Sequence, residues 1–346
     1  MKRFNCQVCK QTIYFENTQC LSCKSALGYL PEEKTLMAFQ QQQNEFTSLP
    51  DQKKYRRCRN GITYSACNWM VESESKHDYC LACRFNRTIP NLSVTENIEH
   101  WKILESNKRR LIYSLIEFGL PLSNKHEDPE GGLEFEFLKD THERLMANKP
   151  VMTGHLDGTI TLNIAEADDA ERERRRLKLK EDFRTVLGHF RHEIGHYYWL
   201  LLIQNTGEFD SFRRMFGDEN LNYQNAMDSY YQYGANDNWR QSFISGYASS
   251  HPWEDFAESW GHYFTIIDTL ETSIQFGVKF GDNDEHLDPY HCPAFQKMLD
   301  QWLPLTNSIN NINRSVGRPD LYPFILTPRV VDKLFFIHDL VQEHRS

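Results

Sequence analysis

The sequence predicts an α+β protein in which a cysteine-rich N-terminal module is followed by a mainly helical domain with a small sheet. Eight of the nine cysteines lie in the first 83 residues. Apolar residues recur at helical spacing over 95–121, and a long helical stretch is predicted over about 168–203. The segments 133–138 and 158–164 alternate apolar and polar residues as half-buried strands do. We place the domain boundary near residue 90–95, which gives domains 1–90 and 91–346.

The composition is that of a globular protein, with 40% hydrophobic and 13% aromatic residues in a chain of 346. The longest apolar run, Tyr197–Ile203, is far shorter than a membrane span. The N-terminal stretch MKRFNCQVCK has no apolar signal core. We therefore expect a cytoplasmic protein without a membrane partner.

The charge also divides the chain. Residues 1–110 contain 17 Lys or Arg and 11 Asp or Glu, whereas the remainder contains 22 and 37. This asymmetry indicates two modules, but the basic excess is too small to predict nucleic-acid binding on its own.

The N-terminal cysteines form two quartets with the spacing of zinc ribbons. Two thiolates separated by two residues can bind the same tetrahedral zinc ion, and disulfides are disfavoured without an export signal. Spacing leaves open whether the pairs combine consecutively or cross over, and whether His77 replaces a ligand; Cys292 stands alone as a packed thiol. In the consecutive arrangement the two zinc sites are Cys6, Cys9, Cys20 and Cys23, and Cys58, Cys67, Cys80 and Cys83.

Few large apolar side chains stand among these cysteines, so we expect the metal ions to supply much of the folding free energy of the module. The stretch AFQQQQNEFTSLPDQKK, residues 38–54, is predicted to be a polar linker between the quartets.

A long helix predicted over about 168–203 contains His192-Glu193-Ile194-Gly195-His196. Histidines four residues apart project from one helical face, so both imidazoles can bind one zinc ion. Glu193 then lies beside the open coordination position, where a carboxylate can act as general base. The motif needs a third ligand.

The third ligand is predicted further along the chain. The long zincin consensus requires a glycine and a histidine where this chain has Trp199 and Leu202, and the inverted HxxEH motif is absent. Glu254, Glu258 and His262 follow at intervals of four, on one helical face. Ligation by Glu254, with Glu258 as its supporting partner, gives a His2Glu set. His251, or Glu258 itself, stays open as an alternative ligand.

HEIGH, Tyr247 and the run Glu254-Asp-Phe-Ala-Glu258 occur in an order that resembles the catalytic core of gluzincin metallopeptidases of the anthrax lethal factor type. The resemblance implies that Glu254 is the third ligand and that Tyr247 stabilises the transition state. One departure is the 57 residues between His196 and Glu254, which leave room for an insertion at about 205–245 that could form a lid or a side of the cleft.

Nearly the whole chain is also similar to a family of bacterial zinc-binding metallopeptidases with N-terminal zinc ribbons. The stretches that carry this similarity are FNCQVC, YFENTQCLSC, CNWMV, CLACR, GTITLNIAEADD, HFRHEIGHYYW and HPWEDFAESWGHYF. It implies a zincin-like domain that follows a double zinc ribbon, with one catalytic and two structural zinc ions.

The expected function is hydrolysis of peptide bonds by a zinc-activated water, with Glu193 as general base and Tyr247 stabilising the oxyanion. The strand 158–164 would be the edge of the cleft and pair with an extended peptide. The ribbons would dock a substrate or partner protein. Two alternatives are a protein- or nucleic-acid-binding adaptor with an inactive zincin scaffold, and a zincin that cleaves proteins bound to DNA.

Overall fold

The computed structural model describes residues 1–43, 45–141, 146, 151–179, 181, 184–278 and 287–345. The chain divides into two compact units. The first comprises Met1–Glu117, Leu122–Thr153 and Thr161–Asp168. The second comprises Phe118–Pro121, Gly154–Ile160 and Asp169–Ser346. The predicted α+β class, a cysteine-rich region followed by a largely helical one, is confirmed.

Among its described residues, the first unit contains most of the strands together with helices α1 (Arg59–Tyr64) and α2 (Thr95–Phe118), of which Phe118 falls outside the unit. A short 3-10 turn, Ala82–Phe85, follows the last cysteine pair. The strands are β1 (Phe4–Asn5), β2 (Thr12–Ile13), β3 (Ala26–Leu30), β4 (Thr35–Gln42), β5 (Glu45–Ser48), β6 (Lys54–Arg57), β7 (Met70–Glu72), β8 (Asn86–Thr88) and β9 (Glu134–Leu138).

The predicted linker at 38–54 is wrong, because this stretch forms most of β4, all of β5 and the start of β6. These strands belong to a five-stranded antiparallel sheet with the order β3-β4-β5-β6-β7. Phe39 packs edge-on against Phe46 and Tyr55, with ring centroids 6.2 and 5.5 Å apart. The glutamines lie at the exposed end of β4. They interrupt the apolar pattern between Phe39 and Phe46, so the sequence gives no clear strand signal there.

An aromatic core also supports the cysteine-rich module. Tyr29 lies with its ring centroid 4.9 Å from Phe15 and 4.8 Å from Trp69, and Tyr113 of α2 lies 5.4 Å from Phe15. The expectation of few large apolar side chains is therefore wrong, and burial of these rings stabilises the module alongside any bound metal. The domain boundary at residue 90–95 stays a prediction.

The second unit is mainly helical. The helix predicted over 168–203 is divided, since one helix ends at Leu179 and the next begins at Val186, where the Thr185 hydroxyl accepts a hydrogen bond from the Gly188 N–H at 2.9 Å. The helices are α3 (Asp169–Leu179), α4 (Val186–Trp199), α5 (Phe209–Phe216), α6 (Tyr223–Tyr233), α7 (Pro252–Gln275), α8 (Phe295–Ser315) and α9 (Pro328–Glu343). None of the helices in the described ranges combines the length and apolar character needed to cross a membrane.

The strands predicted at 133–138 and 158–164 are confirmed as β9 and β11 (Thr159–Asn163). A short strand, β10 (Gly154–Leu156), precedes β11, and the strand order is β10-β11-β9-β8. The prediction that 158–164 is the edge of the cleft is wrong, because β10 takes the edge position. At three residues, β10 is too short for the sequence to show the alternation of apolar and polar residues that predicts a strand.

Helices α4 and α7 pack closely at Gly195, inside the HExxH motif. A Cβ at this position would lie 2.9 Å from the Cα of Ala257. At Gly261 of α7, a Cβ would have no neighbour closer than 3.6 Å. The absent side chain at Gly195 therefore sets the distance between the two helices that carry the candidate ligands.

We expect Gly195→Ala to lower the free energy of unfolding by about 1–3 kcal/mol, because the added methyl group collides with helix backbone. Gly261→Ala is the matched control, and it should leave stability unchanged or raise it by up to about 1 kcal/mol through helix propensity. Urea unfolding of the zinc-loaded proteins measures both. Equal stability of the two variants would contradict the close packing.

Candidate metal centre

The eight N-terminal cysteines form two separate groups, and the quartets are consecutive. In each group one Sγ atom per residue lies within 4.8 Å of the others. Three Sγ pairs, Cys6–Cys23, Cys9–Cys20 and Cys67–Cys80, are each 3.6 Å apart.

The sulfur separations fit metal binding. A disulfide would require about 2.05 Å, whereas four sulfurs bound tetrahedrally at about 2.3 Å from zinc lie roughly 3.8 Å apart. Two of the sulfurs accept hydrogen bonds from backbone N–H groups. The Trp69 N–H donates to Cys67 Sγ and the Cys80 N–H donates to Cys58 Sγ, both at 3.4 Å. His77 belongs to neither group, and the Cys292 thiol donates to the Ala294 carbonyl at 3.4 Å.

A third group combines His192 and His196 of α4 with Glu254 of α7. The two Nε2 atoms are 3.2 Å apart, and the Glu254 Oε2 lies 3.0 Å from His192 Nε2 and 3.5 Å from His196 Nε2. Zinc bonds of about 2.0–2.1 Å at tetrahedral angles would separate such ligand atoms by roughly 3.3 Å. The three donor atoms therefore face one point at the spacing that zinc requires.

The hydrogen bonds of His192 also favour a cation. Its Nδ1 lies 2.8 Å from Oε1 of Glu258, which in turn accepts a hydrogen bond from the Ser245 hydroxyl at 2.6 Å through Oε2. In a zinc-bound site the ring would be neutral, with its single proton on Nδ1 donated to Glu258 and the Nε2 lone pair available to the ion. Glu258 thus orients the imidazole, as carboxylates commonly do in histidine metal sites.

Glu193 and Tyr247 stand beside this group. Glu193 is buried, and burial raises the pKa of its carboxyl although the nearby His192 and His196 oppose the shift. The Tyr247 ring centroid lies 5.8 Å from that of His192. Burial, followed by the charge of Glu254, raises the pKa of Tyr247 well above its usual value. The phenol is therefore protonated and able to donate a hydrogen bond.

The other candidate ligands point elsewhere. The His251 Nδ1 accepts from the Trp253 N–H at 3.1 Å as the cap of α7, and its Nε2 donates to the Leu221 carbonyl at 3.0 Å. The His262 Nδ1 is hydrogen-bonded with the Tyr322 hydroxyl at 2.9 Å, and burial lowers its pKa to about 4. Both Glu258 oxygens are occupied as described above. His192, His196 and Glu254 are the set that the geometry brings together.

The structure adds three tyrosines that sequence reasoning missed. All three belong to α6, inside the insertion at 205–245. The Tyr223 hydroxyl donates to Oε1 of Glu254 at 2.7 Å, and the Tyr230 ring centroid lies 5.7 Å from that of Tyr247. Burial, followed by the charge of Glu254, raises the pKa of Tyr231, the third of them. Their spacing of seven and eight residues places them on one helical face. This spacing was the one sequence feature that could have indicated that the three tyrosines act together.

His155 of β10 is a further neighbour that was missed. Its ring lies nearly parallel to that of His196, with centroids 6.3 Å apart, and its Nε2 accepts from the Gly158 N–H at 2.9 Å. The short strand therefore passes beside α4 at His196.

Two protein-family models and three relatives match this chain. The family model described as "Putative zinc-binding metallo-peptidase" matches residues 97–340, and a zinc-ribbon domain model matches residues 3–94. Uncharacterized proteins from Mycobacterium bovis and from two strains of Mycobacterium tuberculosis are 39% identical over 344 residues, which cover 99% of this chain and 96% of each relative. No solved structure matches significantly. The chain therefore belongs to a family of zinc-binding metallopeptidases that carry an N-terminal zinc ribbon.

Proposed function

We propose that this protein is a zinc-dependent endopeptidase of the gluzincin type. The observation that carries the proposal is the convergence of His192, His196 and Glu254 on one point, with Glu193 next to the first ligand. Two imidazoles and one carboxylate form a ligand set that catalytic zinc sites use.

The residues of the chain divide the chemistry. Zinc held by His192, His196 and Glu254 would supply a Lewis acid that acidifies water and polarises a carbonyl. Glu193 would take a proton from the attacking water and deliver it to the leaving amide nitrogen. The phenol of Tyr247 would donate a hydrogen bond to the oxygen on which negative charge develops.

A catalytic role is favoured over a structural one by the number of ligands. The cysteine groups each provide four ligands, as a closed structural site does, whereas the third group provides three protein ligands among the described residues. A three-ligand group leaves a position for water, and Glu193 gives that position a base. The proposal of an inactive zincin scaffold explains neither feature.

We further propose that the zinc ribbons dock a protein partner or the substrate protein. Val8 and Leu21 each lie within a Cys-x-x-Cys pair of the first quartet, and they are 50% and 79% exposed. Apolar side chains held outward on rigid knuckles are suited to protein contact. The partner is proposed to be a protein and not nucleic acid, since the basic excess of the module is small.

The proposal is tested by digestion of a mixed peptide library with the zinc-loaded chain. New N-termini should appear, disappear after treatment with a chelator and return when Zn²⁺ is added back. Mg²⁺ should not restore cleavage, because imidazole ligands favour zinc over magnesium. Absence of cleavage by the zinc-loaded chain, or cleavage that survives complete zinc removal, would overturn the proposal.

A further inference from the structure

The two oxygens of Glu254 have different surroundings. Oε2 faces the imidazoles of His192 and His196, at 3.0 and 3.5 Å. Oε1 accepts the hydrogen bond from the Tyr223 hydroxyl at 2.7 Å. Glu254 itself is 1% exposed, so the hydroxyl occupies the side of the carboxylate that water would otherwise have to satisfy.

Tyr223 packs against the first turn of α7, the helix that carries Glu254. It is the first residue of α6, and the side chain of the preceding N-cap residue, Asn222, accepts a hydrogen bond from the Asn225 N–H at 2.9 Å. The Tyr223 ring centroid lies 5.2 Å from that of His251 and 5.9 Å from that of Trp253. Both rings flank the start of α7, immediately before Glu254. The packing of the Tyr223 ring against these two rings therefore directs its hydroxyl at Oε1 of Glu254.

We infer that Tyr223 is a positioning residue of the metal centre, which holds Glu254 as a one-oxygen ligand. The inference rests on the proposed function in its zinc site. A carboxylate that bound through both oxygens would take up the position that a catalytic zinc needs for water. By engaging Oε1, the phenol leaves only Oε2 to face the imidazoles. The insertion at 205–245 therefore supplies a structural part of the metal centre through α6.

Removing the hydroxyl tests this role with little damage to packing, since Tyr223 is 39% exposed and Phe keeps the ring contacts. We expect Tyr223→Phe to weaken zinc binding at the third site by about 10- to 100-fold, the range found for outer partners of metal ligands. Tyr233→Phe is the matched control. It removes a hydroxyl from the same helix at a residue that is 76% exposed, and it should bind zinc as the unchanged chain does.

The measurement is the number of zinc ions retained per full-length chain as a competing chelator is increased. The step that vanishes in Glu254→Ala identifies the third site. Tyr223→Phe should shift this step to lower chelator concentration and leave the two cysteine steps unmoved. Urea unfolding of the zinc-free proteins accompanies it, and unchanged zinc-free stability excludes a merely structural effect.

The result separates the inference from the proposed function. Wild-type zinc retention in Tyr223→Phe, while Glu254→Ala loses the step, would overturn the role of Tyr223 alone. A weakened step in a chain that cleaves no peptide would support Tyr223 and reject the peptidase. A shift of equal size in Tyr233→Phe, or loss of zinc-free stability that accounts for the whole shift, would also overturn the inference.

Discussion

Glu193→Gln should reduce peptide hydrolysis about 10²- to 10⁴-fold, the contribution expected of a positioned general base. Glutamine keeps the size and hydrogen-bonding shape of the side chain but cannot accept a proton. Glu193 is not among the three residues whose donor atoms converge, so zinc should stay bound. Initial rates on a peptide from the library digest, with zinc content measured on the same sample, check both halves of the prediction.

Glu208→Gln is the control for this experiment, because Glu208 is an exposed glutamate of the same unit at the start of α5. It should hydrolyse the peptide at the rate of the unchanged chain. Activity of Glu193→Gln within a few-fold of the unchanged chain, at equal zinc content, would remove Glu193 from the role of base.

Glu254→Ala should lose the zinc ion of the third site and, with it, all measurable hydrolysis. The substitution removes one of three ligands and leaves two imidazoles that cannot hold the ion alone at ordinary zinc concentrations. The zinc content should therefore fall from about three ions per chain to about two, the two cysteine sites being unaffected. Elemental analysis after dialysis against a weak chelator gives the count.

Glu258→Gln distinguishes the proposed zinc ligand of α7, Glu254, from the residue that orients His192, Glu258. Glu258 contacts His192 through Nδ1, on the opposite side of the ring from the converging atoms. The variant should retain the third ion with weakened affinity, by about 10-fold or more. If Glu258→Gln lost the ion and Glu254→Ala kept it, the assignment of the two glutamates would have to be exchanged.

The components of the candidate site were predictable where helical periodicity alone places them. His192 and His196 share a face because they are four residues apart, and Glu254 and Glu258 do so for the same reason. The close approach of α4 to α7 could not be predicted from either helix sequence alone. It depends on Gly195, whose meaning becomes visible only when Ala257 is found against it.

Tertiary relations account for what the sequence did not predict. Tyr223 precedes Glu254 by 31 positions, and its hydrogen bond exists only because α6 begins beside the first turn of α7. The strands at 38–54 were mistaken for a linker because a glutamine run has no alternating pattern. Phe39 and Phe46 are diagonal neighbours on the paired strands β4 and β5, and their rings pack together. Helix α4 begins after the capping residue Thr185, and no glycine or proline in the preceding sequence, residues 180–185, marks that start.

The central claim is that one zinc ion is bound by His192, His196 and Glu254. Anomalous scattering from crystals of the zinc-loaded chain, recorded on both sides of the zinc absorption edge, tests it most directly. We predict three zinc peaks, one of them about 2.0–2.2 Å from both Nε2 atoms and from Oε2 of Glu254. Two peaks confined to the cysteine quartets, with none between the imidazoles and the carboxylate of a fully zinc-loaded chain, would contradict the account.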